Sequence, residues 1–470
     1  MKLPHGGFTP RIAGRPASNV EKLFLSDTLQ INLERRGLKY LPVVKNGQKV
    51  GFGDSLAVAD AVGGKLALPS PGSGSVSFDS DNPRQVILER VTQDVETERL
   101  TGYEPSRLSG EKMRKVLSDG GVWPFFWSSQ SGGLPALDGS EQPKAIIVNF
   151  VLAEPFRARG KVTLVHSWEN VIRGIGFLPR ILADYGKIEI VLTAVNDPVA
   201  QRMYAELAGH AWIRLHSVPV IYPIENPQML RQALRKAVPT YEPEDVIWTI
   251  DFQGIEALGS CLGEGLPLHR RMVTVNGPGA RNPRHLSVRI GTPIREVIGN
   301  EIEPDDVIVL RGGLLTGEVL DPASDSVSYD DDGFFILPKS KSREFLSFIR
   351  PGFNRTSCLP AFMSRVTAAA DSHISDSIRG ERRPCIACGL CEKVCPAYIL
   401  PQILHRYLYR EAIDEAEKAG LDRCMDCNLC TFVCPSKIEL REQFYDAREQ
   451  LREEHEEAQR ANSEAGVESD

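Results

Sequence analysis

Cys385-Ile-Ala-Cys388-Gly-Leu-Cys391-Glu-Lys-Val-Cys395-Pro396 is followed, after 27 residues, by Cys424-Met-Asp-Cys427-Asn-Leu-Cys430-Thr-Phe-Val-Cys434-Pro435. Two runs of Cys-x2-Cys-x2-Cys-x3-Cys-Pro are the ligand pattern of a pair of [4Fe–4S] clusters, in which the fourth cysteine of each run serves the other run's cluster. The pattern therefore assigns Cys385, Cys388, Cys391 and Cys434 to one cluster, and Cys424, Cys427, Cys430 and Cys395 to a second. Three thiolates two residues apart can wrap one corner of a cuboidal cluster from a tight loop, and the proline ends the loop. Zinc sites use two separated cysteine pairs rather than four in one run. Disulfides suit small secreted chains in oxidising compartments. Of the ten cysteines, the two outside the runs, Cys261 and Cys358, read as small apolar core residues.

Working outward, Pro401 to Ala419 reads as one helix between the runs, with proline at its start and Gly420 at its end. Leu404, Leu408, Ala412 and Ala416 share a face. That spacing predicts an α-helical ferredoxin rather than a compact two-hairpin one. Residues 366–384 read as a linker into this module, and the segment from Ile438 as a charged helix that frays past Ala461. Residues 441–470 hold four Arg and ten acidic residues, most of the formal net charge of −7. The near-neutral remainder carries no basic face for nucleic acid.

At 470 residues the chain accommodates about three domains. No apolar run reaches 18 residues, and the N-terminus shows no signal core, so a cytoplasmic location is expected. Residues 145–149, 161–165, 188–192 and 246–250 read as strands. The stretches 168–185, 229–237 and 254–263 read as helices, together a parallel α/β sheet. Residues 272–277 and 286–290 suggest two strands, and Val307–Leu310 follows them. A short helix follows Gly291, with Thr292 as N-cap and Pro293 at the first position. The Asp- and Ser-rich residues 321–333 read as a solvated loop. Trp123, Phe125, Phe126 and Trp127 read as core, although they could line a quinone pocket. His210 and His216 read as ordinary partly buried residues. No catalytic Ser-His-Asp or paired-carboxylate arrangement is legible.

Val44–Leu56 and Leu68–Val76 resemble the halves of a biotinyl/lipoyl-type barrel-sandwich domain. At the tip, Ala59-Asp60-Ala61-Val62-Gly63-Gly64, there is no lysine to modify; Lys65 lies beside it. Residues 272–298 resemble the β-grasp module of respiratory flavoproteins. His5-Gly-Gly-Phe-Thr-Pro10, Asn276-Gly-Pro-Gly-Ala-Arg-Asn-Pro283 and Arg343–Asn354 resemble the A-type polypeptide of the Na+-translocating NADH:quinone reductase. That polypeptide ordinarily lacks iron–sulfur clusters. The two cysteine runs, with Ala397–Gln402, resemble instead the C-type polypeptide of the Rnf electron-transport complex, as do Gly265–Thr274 and Arg289–Pro293. The resemblance implies a multidomain α/β protein. Its parts would be a barrel-sandwich domain over 1–95, a Rossmann-like α/β domain over 96–265 and a β-grasp module over 266–320. A family-like segment and linker over 321–375, a dicluster ferredoxin over 376–440 and a charged, partly disordered tail over 441–470 would complete it.

The Rnf polypeptide has a Gly-rich loop similar to the NADH- and FMN-binding loop of complex I. Gly120, Gly121, Gly132 and Gly133 stand at the matching place here, but Trp123, Pro124, Phe125, Phe126 and Trp127 fill it with aromatics. A second glycine motif becomes Gly312-Gly313-Leu314-Leu315-Thr316-Gly317. The expected function is thus an electron-transfer subunit of a membrane-associated NADH, ferredoxin or quinone oxidoreductase complex. It would lie on the inner face of the cell membrane through membrane-embedded and flavin partner subunits. The alternatives are an FMN-containing NADH dehydrogenase subunit, in which FMN would split a hydride for the clusters, and a scaffold with purely structural clusters.

Overall fold

The computed structural model describes residues 1, 6–10, 12–79, 84–92, 102–158, 160–193, 197–207, 209–299, 307–339 and 382–467. The linker reading at 366–381, the Arg343–Asn354 motif and Cys358 lie outside them. The architecture is mixed α/β, with several sheets and a helical C-terminal cysteine module.

Near the N-terminus two small antiparallel sheets share one core. One orders Thr28–Asn32, Gln85–Thr92, Ser73–Ser77 and Lys49–Val50; the other orders Leu41–Pro42, Ser55–Ala61 and Gly64–Pro69. Alternating Leu29, Ile31, Val76, Val86 and Leu88 turn inward from the first sheet to meet Leu56, Leu66 and Leu68 of the second. The tip turn of the second sheet is used as packing: the Leu137 amide donates to the Val62 carbonyl at 2.9 Å.

The central sheet orders Trp127–Ser128, Ile247–Asp251, Ala145–Asn149, Lys187–Leu192 and Ile213–Ser217. The last four strands run parallel, and the first is an antiparallel edge. Near-continuous apolar runs such as Ala145-Ile-Ile-Val are what a sheet covered on both faces requires. Helix Phe252–Glu264 is capped by the Asp251 carboxylate, which accepts from the Gly254 amide, and ends at left-handed Gly265. Helix Pro227–Ala237 is capped by Asn226. Two helix boundaries depart from expectation. Lys161–Val165 is not a strand but part of the helix Gly160–His166. Its β-branched run packs three successive residues, Val162, Thr163 and Leu164, inward, which overrides strand propensity. The next helix stops at Phe177 and passes into a 3-10 turn, Leu178–Arg180, rather than reaching Tyr185. Pro179 in that turn removes the amide that would continue the helix.

A third, six-stranded sheet joins Val20–Lys22, Arg284–Arg289, Arg270–Asn276, Gly333–Pro338, Val307–Arg311 and Glu318–Leu320. The short helix beside it is Ile294–Ile298. Thr292 does not cap it; Pro293 holds the cap position, and the buried Thr292 hydroxyl donates to the Arg289 carbonyl at 2.8 Å.

The stretch 321–333 is not wholly a solvated loop. Tyr329, Asp331 and Asp332 are buried. Asp330 takes Arg35 bidentately at 2.9 and 2.8 Å, Asp331 takes Arg311 at 2.5 Å and Asp332 takes Arg157 at 2.9 Å. Tyr329 donates to the Pro69 carbonyl at 2.6 Å. This segment stitches the N-terminal sheets, the central sheet's first loop and the third sheet together. Charge-rich composition misleads here because each carboxylate has an arginine waiting in another element. Arg35 beside Asp330 holds that carboxyl well below its ordinary range, despite burial acting the other way.

The C-terminal module comprises Leu390–Val394, Pro401–Leu408, Ile413–Lys418, Leu429–Val433 and the long Leu440–Val467 helix. The expected single helix from Pro401 to Ala419 is two, broken at Tyr409–Ala412, where Glu411 takes a left-handed φ of 59°. Leu404 and Ala416 still reach one core with Leu421 and Phe444. The charged helix continues to Val467.

Candidate iron–sulfur site

The two cysteine runs fold alike, position by position. Ala387 and Asp426 share left-handed φ values of 51° and 52°, Gly389 and Asn428 values of 69° and 60°, and Tyr398 and Lys437 values of 56° and 54°. Each run turns from a loop into one short helix, Leu390–Val394 or Leu429–Val433, that ends on its fourth cysteine as C-cap. The left-handed residues between cysteines let successive side chains curl toward one side instead of alternating.

Two small, mostly apolar cavities lie in this module. Cys385, Cys388, Cys391 and Cys434 line the first, with His405 and Gln402 beside them. Cys395, Cys424, Cys427 and Cys430 line the second, with Asp426 and Arg441. The fourth cysteine of each run thus faces the other run's cavity. The structure brings together each of the two sets drawn from the spacing. Four soft thiols around an apolar cavity suit a cuboidal iron–sulfur group in donor chemistry. Among the described residues no three His, Cys, Asp or Glu side chains converge as they would on a single metal ion. Burial pushes the Cys391 and Cys427 thiols up to about 12 and the Cys424 thiol to about 11. Those thiols stay protonated at neutral pH unless a cationic group binds, so loading such a site releases protons.

The surroundings of the two runs differ. Cys385 and Cys388 are exposed, whereas Cys424, Cys427 and Cys430 are more covered. Over the second run, Tyr222 donates its hydroxyl to the Cys427 carbonyl at 2.7 Å, and Asn428 donates to the Leu315 carbonyl at 2.6 Å. Arg448 of the long helix donates to the Cys424 carbonyl at 3.0 Å and pairs with Asp426. Leu390, Val394, Leu429 and Val433 pack into a core with Ile147, Val151, Val191, Val218, Ile224 and Leu315. Val151 and Val218 follow the carboxyl ends of their parallel strands, so the module packs at the carboxyl end of the central sheet, the end at which such folds place ligands.

The N-terminal motif, missed as part of this site, clasps the module. The Gly7 amide donates to the Val394 carbonyl and the Phe8 amide to the Tyr222 carbonyl, both at 3.0 Å. Gly6 has a φ of 60°, and a Cβ there would lie 2.7 Å from the Cys395 carbonyl oxygen, so only glycine fits against that residue. Nearby, Glu225 accepts from the Glu154 amide at 2.8 Å while its other oxygen, Oε2, is buried without a partner among the described residues. Burial, chiefly, pushes its carboxyl up to about 7. Glu154 itself accepts from the Leu315 and Thr316 amides, each at 2.9 Å, which fixes the altered second glycine motif beside the second run.

The other glycine candidates stand elsewhere. Gly120 ends the helix Gly110–Asp119, and its amide donates to Val116; the Gly121 amide donates to Ser118 and the Val122 amide to Leu117. A Cβ on Gly120 would meet Cys261 Sγ at 2.6 Å, and one on Gly121 would meet Pro69 at 2.8 Å. These amides are committed within the chain, and the space beside them is filled by it. Gly132 and Gly133 lie in an open surface turn. Trp123 and Phe126 are fully buried and pack with Trp248. His216 meets buried Glu189 at 2.6 Å, whereas His210 is exposed rather than partly buried and lies tilted against Trp212 at its surface turn.

These features define a mixed α/β protein with a C-terminal 4Fe-4S domain: residues 381–438 match the family described as 4Fe-4S dicluster domain. Over most of its length the chain is similar to proteins named as the A-type polypeptide of Na(+)-translocating NADH-quinone reductase. The Marinomonas sp. (strain MWYL1) protein is 25% identical over 424 residues, 87% of this chain and 89% of that protein. The Neisseria meningitidis serogroup B (strain ATCC BAA-335 / MC58) protein is 24% identical over 426 residues, 89% and 92% of the two chains. Among solved structures, the NAD+-reducing [NiFe]-hydrogenase in the H2-reduced state is similar at 11% identity and a TM-score of 0.42. That match covers 73% of this chain and 63% of that one. Among the described residues no helix is long and apolar enough to cross a membrane.

Proposed function

We propose that this chain is an electron-transfer subunit of a membrane-associated NADH:quinone-type oxidoreductase complex, relaying single electrons through two [4Fe-4S] clusters. The observation that carries the reading is the partition of eight cysteines into two four-cysteine cavities, each completed from the opposite run. The clusters, when bound, supply one-electron redox chemistry without proton transfer. Cys385, Cys388, Cys391 and Cys434 hold one, and Cys424, Cys427, Cys430 and Cys395 hold the other. Crossing the ligands fixes the two loops against each other and sets the distance between the centres. The apolar lining of the second cavity limits water there, and Arg448 and Asn428 hold the second loop in place. Kinship with the reductase polypeptides supports the complex, its membrane-embedded and flavin partners, and a peripheral place on the cytoplasmic membrane face. The domain division at residues 95, 265, 320, 375 and 440 belongs to the same proposal, as do its barrel-sandwich, Rossmann-like and β-grasp parts.

Anaerobic iron and sulfide analysis followed by EPR tests it. About eight irons per chain, with signals after dithionite, are expected. Zinc in place of iron, or iron that never changes oxidation state, would contradict the reading. Bound FMN together with bleaching by NADH would transfer the dehydrogenase step to this chain as well; the committed amides at Gly120 and Gly121 predict neither.

A further inference from the structure

Glu225, Glu154 and Asp332 surround one cation, Arg157. They differ in how far their oxygens are occupied. Asp332 takes Arg157 through both oxygens. Glu154 accepts from Arg157 at 3.0 Å, from the Leu315 and Thr316 amides and from the Thr316 hydroxyl at 2.7 Å. Glu225 accepts from the Glu154 amide through one oxygen and leaves Oε2 buried without a partner among the described residues. Three ionised carboxylates beside one guanidinium would leave negative charge uncompensated where Glu154 and Asp332 are buried, which is costly. Glu225 has the least to hold its charge, so it is the member that keeps a proton. Burial first, and then Glu154, push its carboxyl up to about 7. The residue as a whole is half-buried, so that proton exchanges with solvent without crossing the core.

Two connections tie this carboxyl to the second run. Tyr222, three residues earlier in the same loop, donates to the Cys427 carbonyl. Glu154 holds the Leu315 amide, and the Leu315 carbonyl accepts from Asn428. The ionisable groups acting on Glu225 are Glu154, Arg157 and Tyr222. At the second cavity Asp426 pairs with Arg448, and Arg441 is a further charged group of the lining.

Resting on the relay reading, we propose that Glu225 is a proton-binding site coupled to the second centre. Glu225 takes up one proton from solvent as the site held by Cys424, Cys427, Cys430 and Cys395 gains one electron from its neighbour in the relay, and releases it when the electron leaves. The O–H bond at the Glu225 carboxylate is the only bond made or broken. The sign follows from charge: an added electron makes the site more negative, and negative charge favours the protonated carboxyl. The second midpoint must then fall as pH rises through the range in which only the reduced form holds the proton. Cluster thiolates only move a carboxyl upward, so that range begins at or above about 7.

The test uses the full chain, reconstituted anaerobically, in redox titrations followed by EPR across neutral and mildly alkaline pH. The second signal is the one lost in Cys427→Ser. The comparison stays within that signal, because His405 gives the first cavity a titratable neighbour of its own. The second reduction equilibrium is expected to change up to tenfold per pH unit, about 59 mV for a one-electron couple. Glu225→Gln, neutral and of the same shape, is expected to flatten that slope, and Glu225→Asp, which keeps an ionisable carboxyl, to retain one. In infrared difference spectra, reduced minus oxidised, the carbonyl band of a protonated carboxyl is expected in the unmodified chain and not in Glu225→Gln. A level second midpoint in the unmodified chain, or a slope that persists in Glu225→Gln, would overturn the proton site and leave the relay reading intact. Clusters that no donor reduces would instead refute the relay reading itself.

Discussion

The two cysteine runs have the same ligand spacing and the same loop conformation, yet one lies open at Arg382–Cys388 and the other is pinned by Tyr222, Leu315 and Arg448. Identical local sequence rules made two like loops. Tertiary contacts made them unlike in burial, and burial and hydrogen bonding set the behaviour of such sites. The difference teaches that one module can offer a face to the outside and a face to its own fold without altering its ligand pattern.

The most severe way to break the comparison is to remove a ligand from each side. Cys427→Ser leaves a cavity against the body and is expected to lower iron from about eight to about four per chain. It is also expected to loosen the docked module, seen as faster proteolysis between residues 382 and 440. Cys388→Ser, at the open loop, is expected to lose the same iron with the module still docked. Equal proteolysis of the two variants would erase the distinction.

Gly6→Ala comes next. The new Cβ would sit 2.7 Å from the Cys395 carbonyl oxygen in a left-handed conformation, so destabilisation by about 1–3 kcal/mol is expected in thermal unfolding of the loaded protein. The accompanying EPR change should fall on the cluster proposed for the second cavity, which Cys395 lines. Tyr222→Phe removes one hydrogen bond to the second run and should cost about 0.5–1.5 kcal/mol. A redox titration should show one midpoint moved and the other unchanged.

The smallest effect is a pH slope. Glu225 has a folded pKa of about 7, raised from 4.5 mainly by burial. Its contribution is fully present below the unfolded pKa near 4.5 and is lost as pH rises through about 7, by up to about 3 kcal/mol. Glu225→Gln should therefore flatten the fall of melting temperature between those values. An unaltered slope would show that Glu225 ionises freely beside the second run.

Much of this was legible in the residues. The cysteine spacing marked out the two four-cysteine sets that line the two cavities, because cluster chemistry demands local clustering of thiols. The apolar runs at 145–149 and 188–192 gave away buried parallel strands. What escaped depended on distant partners. Lys161–Val165 has the composition of a strand, and only its packing makes it helical. The acidic residues at 330–332 look solvated until Arg35, Arg311 and Arg157 are placed around them. His5-Gly-Gly-Phe carried a family resemblance but no local hint that Gly6 would abut Cys395; two adjacent glycines before an aromatic were the available signal. The turn at Tyr409–Ala412 has no proline or glycine to announce it.

The crossing of ligands between the runs is tested most directly by EPR of dithionite-reduced Cys434→Ser, compared with Cys388→Ser and Cys427→Ser. Because Cys434 faces the first cavity, it should abolish or alter the same signal as Cys388→Ser and spare the one lost in Cys427→Ser. Loss of the Cys427 signal instead would mean that each run holds its own four cysteines and would contradict the crossed arrangement.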